Sequence, residues 1–185
     1  MSLWQKSGNC WEAAAGPWSS FIGYNGFAPP GGKQEGDGKT PTGIYGFGSV
    51  IYGNAANPGV HEAYQPIDCG DWWDEDSSSS TYNTFQDLSC DSAGQTTPDP
   101  AFDNGSSEKL WEETNAYPSF AVIDYNTSPI VKGAGSAIFF HASLGHGTAG
   151  CVSVALANLD WFLRWMEPSQ DPLIVMGTTS EITRF

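Results

Sequence analysis

One histidine and one cysteine near the C-terminal end of the chain have the spacing of a base and its nucleophile. In SAIFFHASLGHGTAGCVSV, residues 136–154, an apolar run leads to His141, and Cys151 follows ten positions later behind a glycine. A nearby imidazole increases the thiolate fraction of a cysteine, and the thiolate is the reactive form. The pair predicts covalent catalysis. The alternative is a hydrogen-bonded core histidine and a small buried thiol.

The residues around Cys151 predict how its thiol would be activated. We expect a helix directly after Cys151, whose dipole would lower the pKa of the thiol. The backbone amides of Gly150 and Cys151 would then point at a developing oxyanion. The helix is predicted from apolar residues spaced by three and four, with Pro168 ending it: Leu156, Leu159, Phe162, Leu163 and Met166.

Short apolar runs predict the strands that position this pair. FAVIDYN (residues 120–126), SAIFFH (136–141) and PLIVMG (172–177) are each bounded by turn residues. The glycine-rich run TGIYGFG (42–48) suits a bent strand. Between them lies a long, mostly irregular middle region, residues 54–118, with a short helix expected at SSEKLWEETNAY, residues 106–117.

Composition favours one mainly β domain over residues 1–185, in which Met1 to Leu3 could be a cloning remnant. The 185 residues include 22 glycines, 12 prolines and many aromatic residues, a mixture typical of strands joined by turns. The net charge of −14 argues against nucleic acid and anionic membrane partners. In the glycine-rich stretch 33–53, the pattern GxGxxG followed by a helix is absent, and GxxxxGK[ST] is absent too, so a nucleotide site is not predicted.

The cysteines indicate the compartment. Cys69 and Cys90 bracket a loop rich in Asp, Ser, Trp and Gly, and we expect a disulfide between them, with two free thiols as the alternative. Such a bridge stabilises by roughly 3 kcal/mol in the chain-entropy account. Disulfides persist outside the cytosol, which predicts an exported, extracellular or cell-wall protein. MSLWQKSG lacks the layout of a signal peptide, and no apolar stretch is long enough to span a bilayer.

The C-terminal run resembles the L,D-transpeptidase catalytic domain, the YkuD family, in the branch with a TAGC-type motif. The family signature is a histidine followed by [ST]-x-G-C and an apolar residue, and His141, Thr148, Gly150, Cys151 and Val152 match it. GDGKTPTGIYGFG (residues 36–48) and GAGSAIFFH (133–141) are similar to family segments upstream of the site. Together the similar segments span most of residues 33–177.

This resemblance implies a transpeptidase-like β-sandwich with one C-terminal helix, and a mechanism without metal or organic cofactor. Cys151 would be the nucleophile, His141 its base, and a backbone carbonyl of Ala142 or Ser143 the group that orients the imidazole. The substrates would be peptidoglycan stem peptides: Cys151 would attack a tetrapeptide, expel D-alanine, and pass the acyl group to an amine to form a 3-3 crosslink. Carbapenems would then acylate the same thiol.

Two departures from the family pattern bear on substrate contacts. Many members carry His or Arg before the GC glycine and Arg two residues after the cysteine, where this chain has Ala149 and Ser153. We expect a stem-peptide cleft lined by Thr148, Trp72, Trp73, Tyr82, Asn83, Tyr125 and Asn126. Two alternatives stay open at this point: an L,D-carboxypeptidase with the same site, and a noncatalytic cell-wall binding module whose aromatic side chains stack on sugars.

Overall fold

The computed structural model of the chain describes residues 1–91, 93–94, 100–103 and 105–184. Within these residues the protein is mainly β, as predicted. The strands are β1 (Leu3–Ser7), β2 (Cys10–Ala15), β3 (Ser20–Phe21), β4 (Gly43–Tyr45), β5 (Phe47–Gly53), β6 (Ala63–Pro66), β7 (Asp71–Asp74), β8 (Thr84–Asp87), β9 (Glu108–Lys109), β10 (Phe120–Ile123), β11 (Phe139–Ala142), β12 (Val152–Val154) and β13 (Ile174–Met176). The helices are α1 (Leu156–Trp165) and α2 (Thr179–Ile182), with a 3₁₀ turn at Pro168–Gln170.

A six-stranded sheet with the order β3-β12-β11-β10-β5-β6 lies at the centre of the fold. In it β11 runs parallel to β12 and β5 parallel to β6, while the other neighbours are antiparallel. Three smaller sheets surround it: β1-β2, β13-β4 and β8-β7-β9. The predicted strands at 120–126, 136–141 and 172–177 are confirmed as β10, β11 and β13, and the bent run at 42–48 divides between β4 and β5.

Both faces of the central sheet are covered, which explains why its strands read as continuous apolar runs. Successive side chains point to opposite faces, and Phe140 and Ala142 face α1, while Phe139 joins the cluster on the other face. That second cluster contains Cys151 and Trp73 of β7. Residues of β11 that point away from α1 therefore face the three-stranded sheet.

Helix α1 confirms the predicted amphipathic helix. Leu159, Phe162 and Leu163 are its buried residues and pack against the central sheet, and the helix ends before Pro168, as expected. It does not begin directly after Cys151, however, because β12 lies between the two. The prediction that the helix dipole acts on the thiol is therefore wrong, since the dipole acts only within about one turn of the helix end.

The middle region is more regular than the sequence suggests. The segment expected to be irregular contains β6 and the three-stranded sheet, in which β7 pairs with both β8 and β9. The prediction of a helix at residues 106–117 is wrong, because Glu108 and Lys109 form β9, which pairs with β7, and turns follow. The amide of Leu110 also donates to Asp71 O at 3.1 Å, and the Leu110 side chain is fully buried. Tertiary pairing thus outweighs helix propensity here.

The predicted disulfide between Cys69 and Cys90 is present, with a Cα–Cα distance of 5.9 Å. It joins the segments that lead into β7 and out of β8. Cys10 and Cys151 are free thiols. Within the part of the chain that the structure describes, no helix has the length and apolar character needed to cross a bilayer.

Candidate active site

His141 and Cys151 come from neighbouring parallel strands. His141 lies on β11 opposite Ser153 of β12, and Cys151 comes one residue before β12 begins. Two residues of strand correspond to about 6.6 Å along the sheet. The imidazole and the thiol are thus offset by two residues on adjacent strands.

The two side chains share the face of the sheet that points away from α1. Phe139 and Cys151 belong to the same buried cluster, and His141 alternates with Phe140 and so lies on the side of Phe139. Tyr117 covers this face: its ring meets the His141 ring edge-on, with centroids 5.3 Å apart. The fold therefore brings the two candidate catalytic residues to one surface of one sheet.

Backbone carbonyls hold the imidazole of His141. Its Nδ1 lies 2.8 Å from the carbonyl oxygen of Ala142. A carbonyl can only accept, so Nδ1 carries the proton in the neutral ring and Nε2 is left as an acceptor. Burial lowers the pKa of His141, while hydrogen bonds with the carbonyls of Ala142 and Ala116 raise it in part. The histidine is neutral at pH 7 and can receive a proton at Nε2.

The thiol of Cys151 is free, buried and hydrogen-bonded. Its Sγ donates to Ala137 O at 3.1 Å and accepts from the amide of Phe139 at 3.3 Å. Burial raises the pKa of Cys151 far above its usual range, the Phe139 amide lowers it, and the charges of Glu108 and Glu75 raise it further. The resting nucleophile is therefore a neutral thiol. The expectation of a lowered thiol pKa is wrong.

Two half-buried acids near the site, Glu75 and Glu108, were not predicted from the sequence. Burial raises the pKa of Glu108 to about 7, although the hydrogen bond that the Tyr117 hydroxyl donates at 2.8 Å lowers it. Burial, together with the charges of Glu108 and Glu35, raises the pKa of Glu75 to about 9. Glu75 is consequently protonated at neutral pH, and Glu108 is partly protonated. The face that carries the thiol is acidic but only partly charged.

Lys33 is a buried cation beside the site. Its Nζ donates to Asp37 Oδ1 at 2.6 Å and to Gln34 O at 2.8 Å. A methyl group at Gly135 would lie 3.0 to 3.3 Å from the Lys33 side chain, and one at Gly150 would lie 3.7 Å from its Cε. The charge of Lys33 lowers the pKa of Cys151 and so opposes the acids.

Thr148 and Gly150 build the turn that leads into Cys151. The Thr148 hydroxyl donates to Cys151 O at 2.6 Å and accepts from the Gly150 amide at 3.2 Å. A methyl group at Gly150 would lie 3.0 Å from both Lys39 O and Ile138 Cδ1, so close packing requires glycine there. Because the Gly150 amide is bonded at rest, it must leave Thr148 before it can serve an oxyanion. The oxyanion role of Gly150 and Cys151 stays a prediction.

The side chains expected to line a cleft are mostly below the surface. Trp72, Trp73, Tyr82 and Asn83 are each at most 5% exposed. Trp73 packs edge-on against Phe139, and its Nε1 donates to Asn83 Oδ1 at 2.9 Å. Their contact with a stem peptide therefore stays a prediction. In the structure they pack and hydrogen-bond in the layer that covers the Cys151 side of the central sheet.

Tyr125 and Asn126 also bond the protein itself. The Tyr125 hydroxyl donates to Ala134 O at 2.6 Å, and the Asn126 amide donates to Gly135 O at 2.8 Å and to Val131 O at 3.0 Å. Both residues thus fasten the glycine-rich segment that precedes β11. Substrate contact by either stays a prediction.

The two serines near His141 differ in their bonding. Of the two carbonyls expected to orient the imidazole, that of Ala142 is hydrogen-bonded to the ring. The amide of Ser143 donates to Val154 O, and its Oγ accepts from the amide of Gly145. Ser153, opposite His141, is 1% exposed, and its hydroxyl has no hydrogen-bond partner among the described residues.

Sequence reasoning missed Tyr117, Glu75, Glu108, Lys33 and Ala137. Tyr117 and Glu108 were hidden inside the segment assigned to a helix, and Glu75 directly follows a strand assigned to a loop. Ala137 has a φ of 50°, in the left-handed region that favours glycine. The alternating glycines of GAGSA, residues 133–137, were the one available signal for such a backbone.

Comparison with known proteins assigns the chain to a family. The family model for the YkuD L,D-transpeptidase catalytic domain matches residues 6–178. No match was found among curated proteins or among solved structures. The family match covers nearly the whole chain, including the histidine, the cysteine and the strands that carry them. The chain belongs to the YkuD family of L,D-transpeptidase catalytic domains.

Proposed function

We propose that this protein is a peptidoglycan L,D-transpeptidase that uses Cys151 as nucleophile and His141 as general base. The supporting observation is the shared face of β11 and β12, which carries a free thiol and, two residues along on the adjacent strand, an imidazole whose Nδ1 faces the Ala142 carbonyl. Such an imidazole has Nε2 available to accept the thiol proton. The noncatalytic alternative offers no reason for this arrangement.

Acylation begins from the neutral thiol and the neutral imidazole. Sγ of Cys151 attacks the carbonyl carbon of the third residue of a tetrapeptide stem, and the thiol proton passes to Nε2 of His141. The carbonyl electrons move onto oxygen and form a tetrahedral oxyanion, which the amides of Cys151 and Gly150 stabilise once Gly150 leaves Thr148. Proton transfer and attack proceed together, because the resting thiol has a raised pKa and the imidazole a lowered one.

Collapse of the oxyanion completes the acyl-enzyme. The amide bond to the terminal D-alanine breaks, its nitrogen takes the proton from His141, and D-alanine leaves as the free amino acid. A thioester joins the stem to Cys151. His141 is neutral again and can act as base a second time.

Deacylation transfers the stem to an acceptor amine. The amine nitrogen attacks the thioester carbonyl and gives a proton to His141, and the thiolate of Cys151 leaves and takes up that proton. The product is an amide, a 3-3 crosslink between two stems. Water as acceptor gives a trimmed stem instead, the reaction of an L,D-carboxypeptidase.

The proposed substrate places the protein outside the cytoplasm. Peptidoglycan lies in the cell wall, and the Cys69–Cys90 disulfide is suited to an oxidising compartment. We therefore assign the protein to the extracellular space or the cell wall.

The test is product analysis with a purified disaccharide tetrapeptide. We expect mass spectrometry to detect a crosslinked dimer and released D-alanine with the wild-type protein and with Cys10→Ala, which removes the exposed free thiol. Cys151→Ala should give neither. Trimmed monomer without dimer would assign the hydrolytic reaction. An unchanged substrate would overturn both enzymatic assignments.

A further inference from the structure

Three non-glycine residues with left-handed backbones lie together behind the nucleophile. Asn83, Asn126 and Ala137 have φ values of 58°, 56° and 50°. Asn83 is hydrogen-bonded to both of the others. Asparagine tolerates this conformation, but alanine disfavours it because of its Cβ. Ala137 therefore needs an external partner to keep its backbone in place, and strained backbone of this kind gathers at functional sites.

Asn83 is that partner. It is 3% exposed, and its Oδ1 accepts from the amide of Ala137 at 3.0 Å and from Nε1 of Trp73 at 2.9 Å. Its Nδ2 donates to Asn126 O at 2.8 Å, and its own amide donates to Asp74 O at 2.6 Å. The side-chain amide is thus fixed at both ends, and its oxygen is aimed at Ala137.

Ala137 passes this constraint to the nucleophile. Its carbonyl oxygen accepts the thiol of Cys151 at 3.1 Å, and the amide of Phe139, two residues further along, donates to the same sulfur at 3.3 Å. Rotation of the 137–138 peptide would move the carbonyl and leave the thiol without its acceptor. The position of the sulfur therefore depends on the backbone of Ala137.

We propose that Asn83 is a positioning residue for Cys151: it holds Ala137 in the left-handed conformation, and the Ala137 carbonyl then fixes the thiol. This inference rests on the proposed function and changes the role of Asn83 from substrate contact to support of the nucleophile. A misplacement of about 1 Å at a reacting atom lowers turnover by up to about 100-fold.

The main test compares the steady-state kinetics of Asn83→Ala with those of the wild type on the tetrapeptide donor. We expect kcat to fall by about 10- to 100-fold with KM within about twofold, the pattern of a lost interaction that acts on the chemical step. A raised KM with unchanged kcat would overturn the proposal, because it would assign Asn83 to substrate binding. Gln86→Ala on β8, the strand that directly follows Asn83, is the matched amide control, since among the described residues the Gln86 side chain bonds to its near neighbours Thr84 and Phe85.

A second substitution tests the route through Ala137. Glycine adopts the left-handed conformation easily, so Asn83→Ala/Ala137→Gly should regain roughly threefold or more of the lost kcat. No regain would contradict the proposal. If Asn83→Ala does not fold, Ala137→Val carries the test, because valine strongly disfavours this conformation while Asn83 stays in place. It should lower kcat and leave KM unchanged, and wild-type kcat would contradict the proposal.

A substrate-free readout separates this inference from the proposed function. Alkylation of Cys151 by iodoacetamide is followed by peptide mapping across pH, so that Cys10 does not interfere. Loss of the Ala137 acceptor removes a hydrogen bond that favours the neutral thiol, and the profile of Asn83→Ala should move to lower pH and return toward wild type in the double variant. Superimposable profiles would overturn the positioning role. Absence of crosslinking by the wild type would count against the proposed function alone.

Discussion

At the residue scale, the site pairs a base that burial keeps neutral with a thiol that burial keeps protonated. His141 faces the carbonyl of Ala142, and Cys151 donates to the carbonyl of Ala137. Neither group is charged at rest. Proton transfer must therefore accompany attack, in contrast to enzymes that store a thiolate beside an imidazolium.

The pH dependence of acylation follows from the histidine. His141 accepts the thiol proton only when neutral, and its lowered pKa keeps it neutral to more acidic pH than an ordinary histidine. We expect the acid limb of kcat/KM to have its midpoint below the ordinary value of about 6.5. A stopped assay of D-alanine release across pH measures it.

A nearby acid supplies the control for this prediction. The pKa of Glu108 is about 7, so its titration would place a limb higher than that of His141. Glu108→Gln should leave the acid limb where it is in the wild type. If the acid limb of kcat/KM instead has its midpoint at or above about 6.5 and disappears in Glu108→Gln, the titrating group is Glu108. That result would contradict the role of His141 as the base.

The buried hydroxyl of Ser153 affects the stability of the folded state. Its buried hydroxyl has no partner among the described residues, and an unsatisfied buried hydroxyl destabilises the folded state. We expect Ser153→Ala to raise the free energy of unfolding by about 1 kcal/mol in urea denaturation. Ser136→Ala is the matched control, because the Ser136 hydroxyl donates to Glu35 at 2.6 Å, and it should lower the stability. A less stable Ser153→Ala would show that its hydroxyl is satisfied.

At the scale of elements, the site depends on a three-stranded sheet packed against the central one. Trp73 of β7 packs on Phe139 of β11, and Asn83, directly before β8, bonds Ala137. The Cys69–Cys90 disulfide closes the chain around β7 and β8. This small sheet forms the wall behind the nucleophile.

The disulfide prediction concerns stability. Cys69→Ser/Cys90→Ser should lower the free energy of unfolding by roughly 3 kcal/mol, because the open loop of the unfolded chain regains entropy. Cys10→Ser is the control and should match the wild type, since Cys10 is exposed and free. Reductant should lower the free energy of unfolding of the wild type to that of the double variant. Equal stability of all three proteins would show that the bridge contributes nothing.

Elements with a clear apolar period were predictable from the sequence, and those that depend on distant partners were not. The strands around Phe120 and Phe140 were predicted from apolar runs and the helix with Leu159 and Leu163 from its period of three and four, and all four side chains are buried. The segment containing Glu108 and Tyr117 was misassigned, because its pairing with β7 is a long-range contact that local spacing does not encode.

The same division applies to the site. The spacing and residue types identified His141 and Cys151. They could not identify Tyr117, which contacts the imidazole from another loop, or Ala137, whose backbone amide donates to Asn83 Oδ1. The direction of the thiol pKa was also missed, because it depends on burial and on Glu108 and Glu75.

At the scale of the whole molecule, a net charge of −14 favours a cationic acceptor. Exposed charges are screened within about 10 Å at 0.1 M salt. We expect the ratio of crosslinked to hydrolysed product to fall as sodium chloride is raised from about 20 to about 300 mM, because an amine is attracted and water is not. Mass spectrometry of both products from one reaction measures the ratio. A ratio independent of salt would contradict electrostatic attraction of the acceptor.

Intact-protein mass spectrometry measures the covalent attachment of the stem to Cys151, for which His141 is the proposed base. During turnover of the tetrapeptide donor, the wild-type protein should gain the mass of the stem lacking its terminal D-alanine, mapped to Cys151. Cys151→Ala should gain none, and His141→Ala should acylate at least about 100-fold more slowly. A wild-type protein that releases D-alanine without this adduct, or an adduct that persists in Cys151→Ala, would rule out Cys151 as the nucleophile.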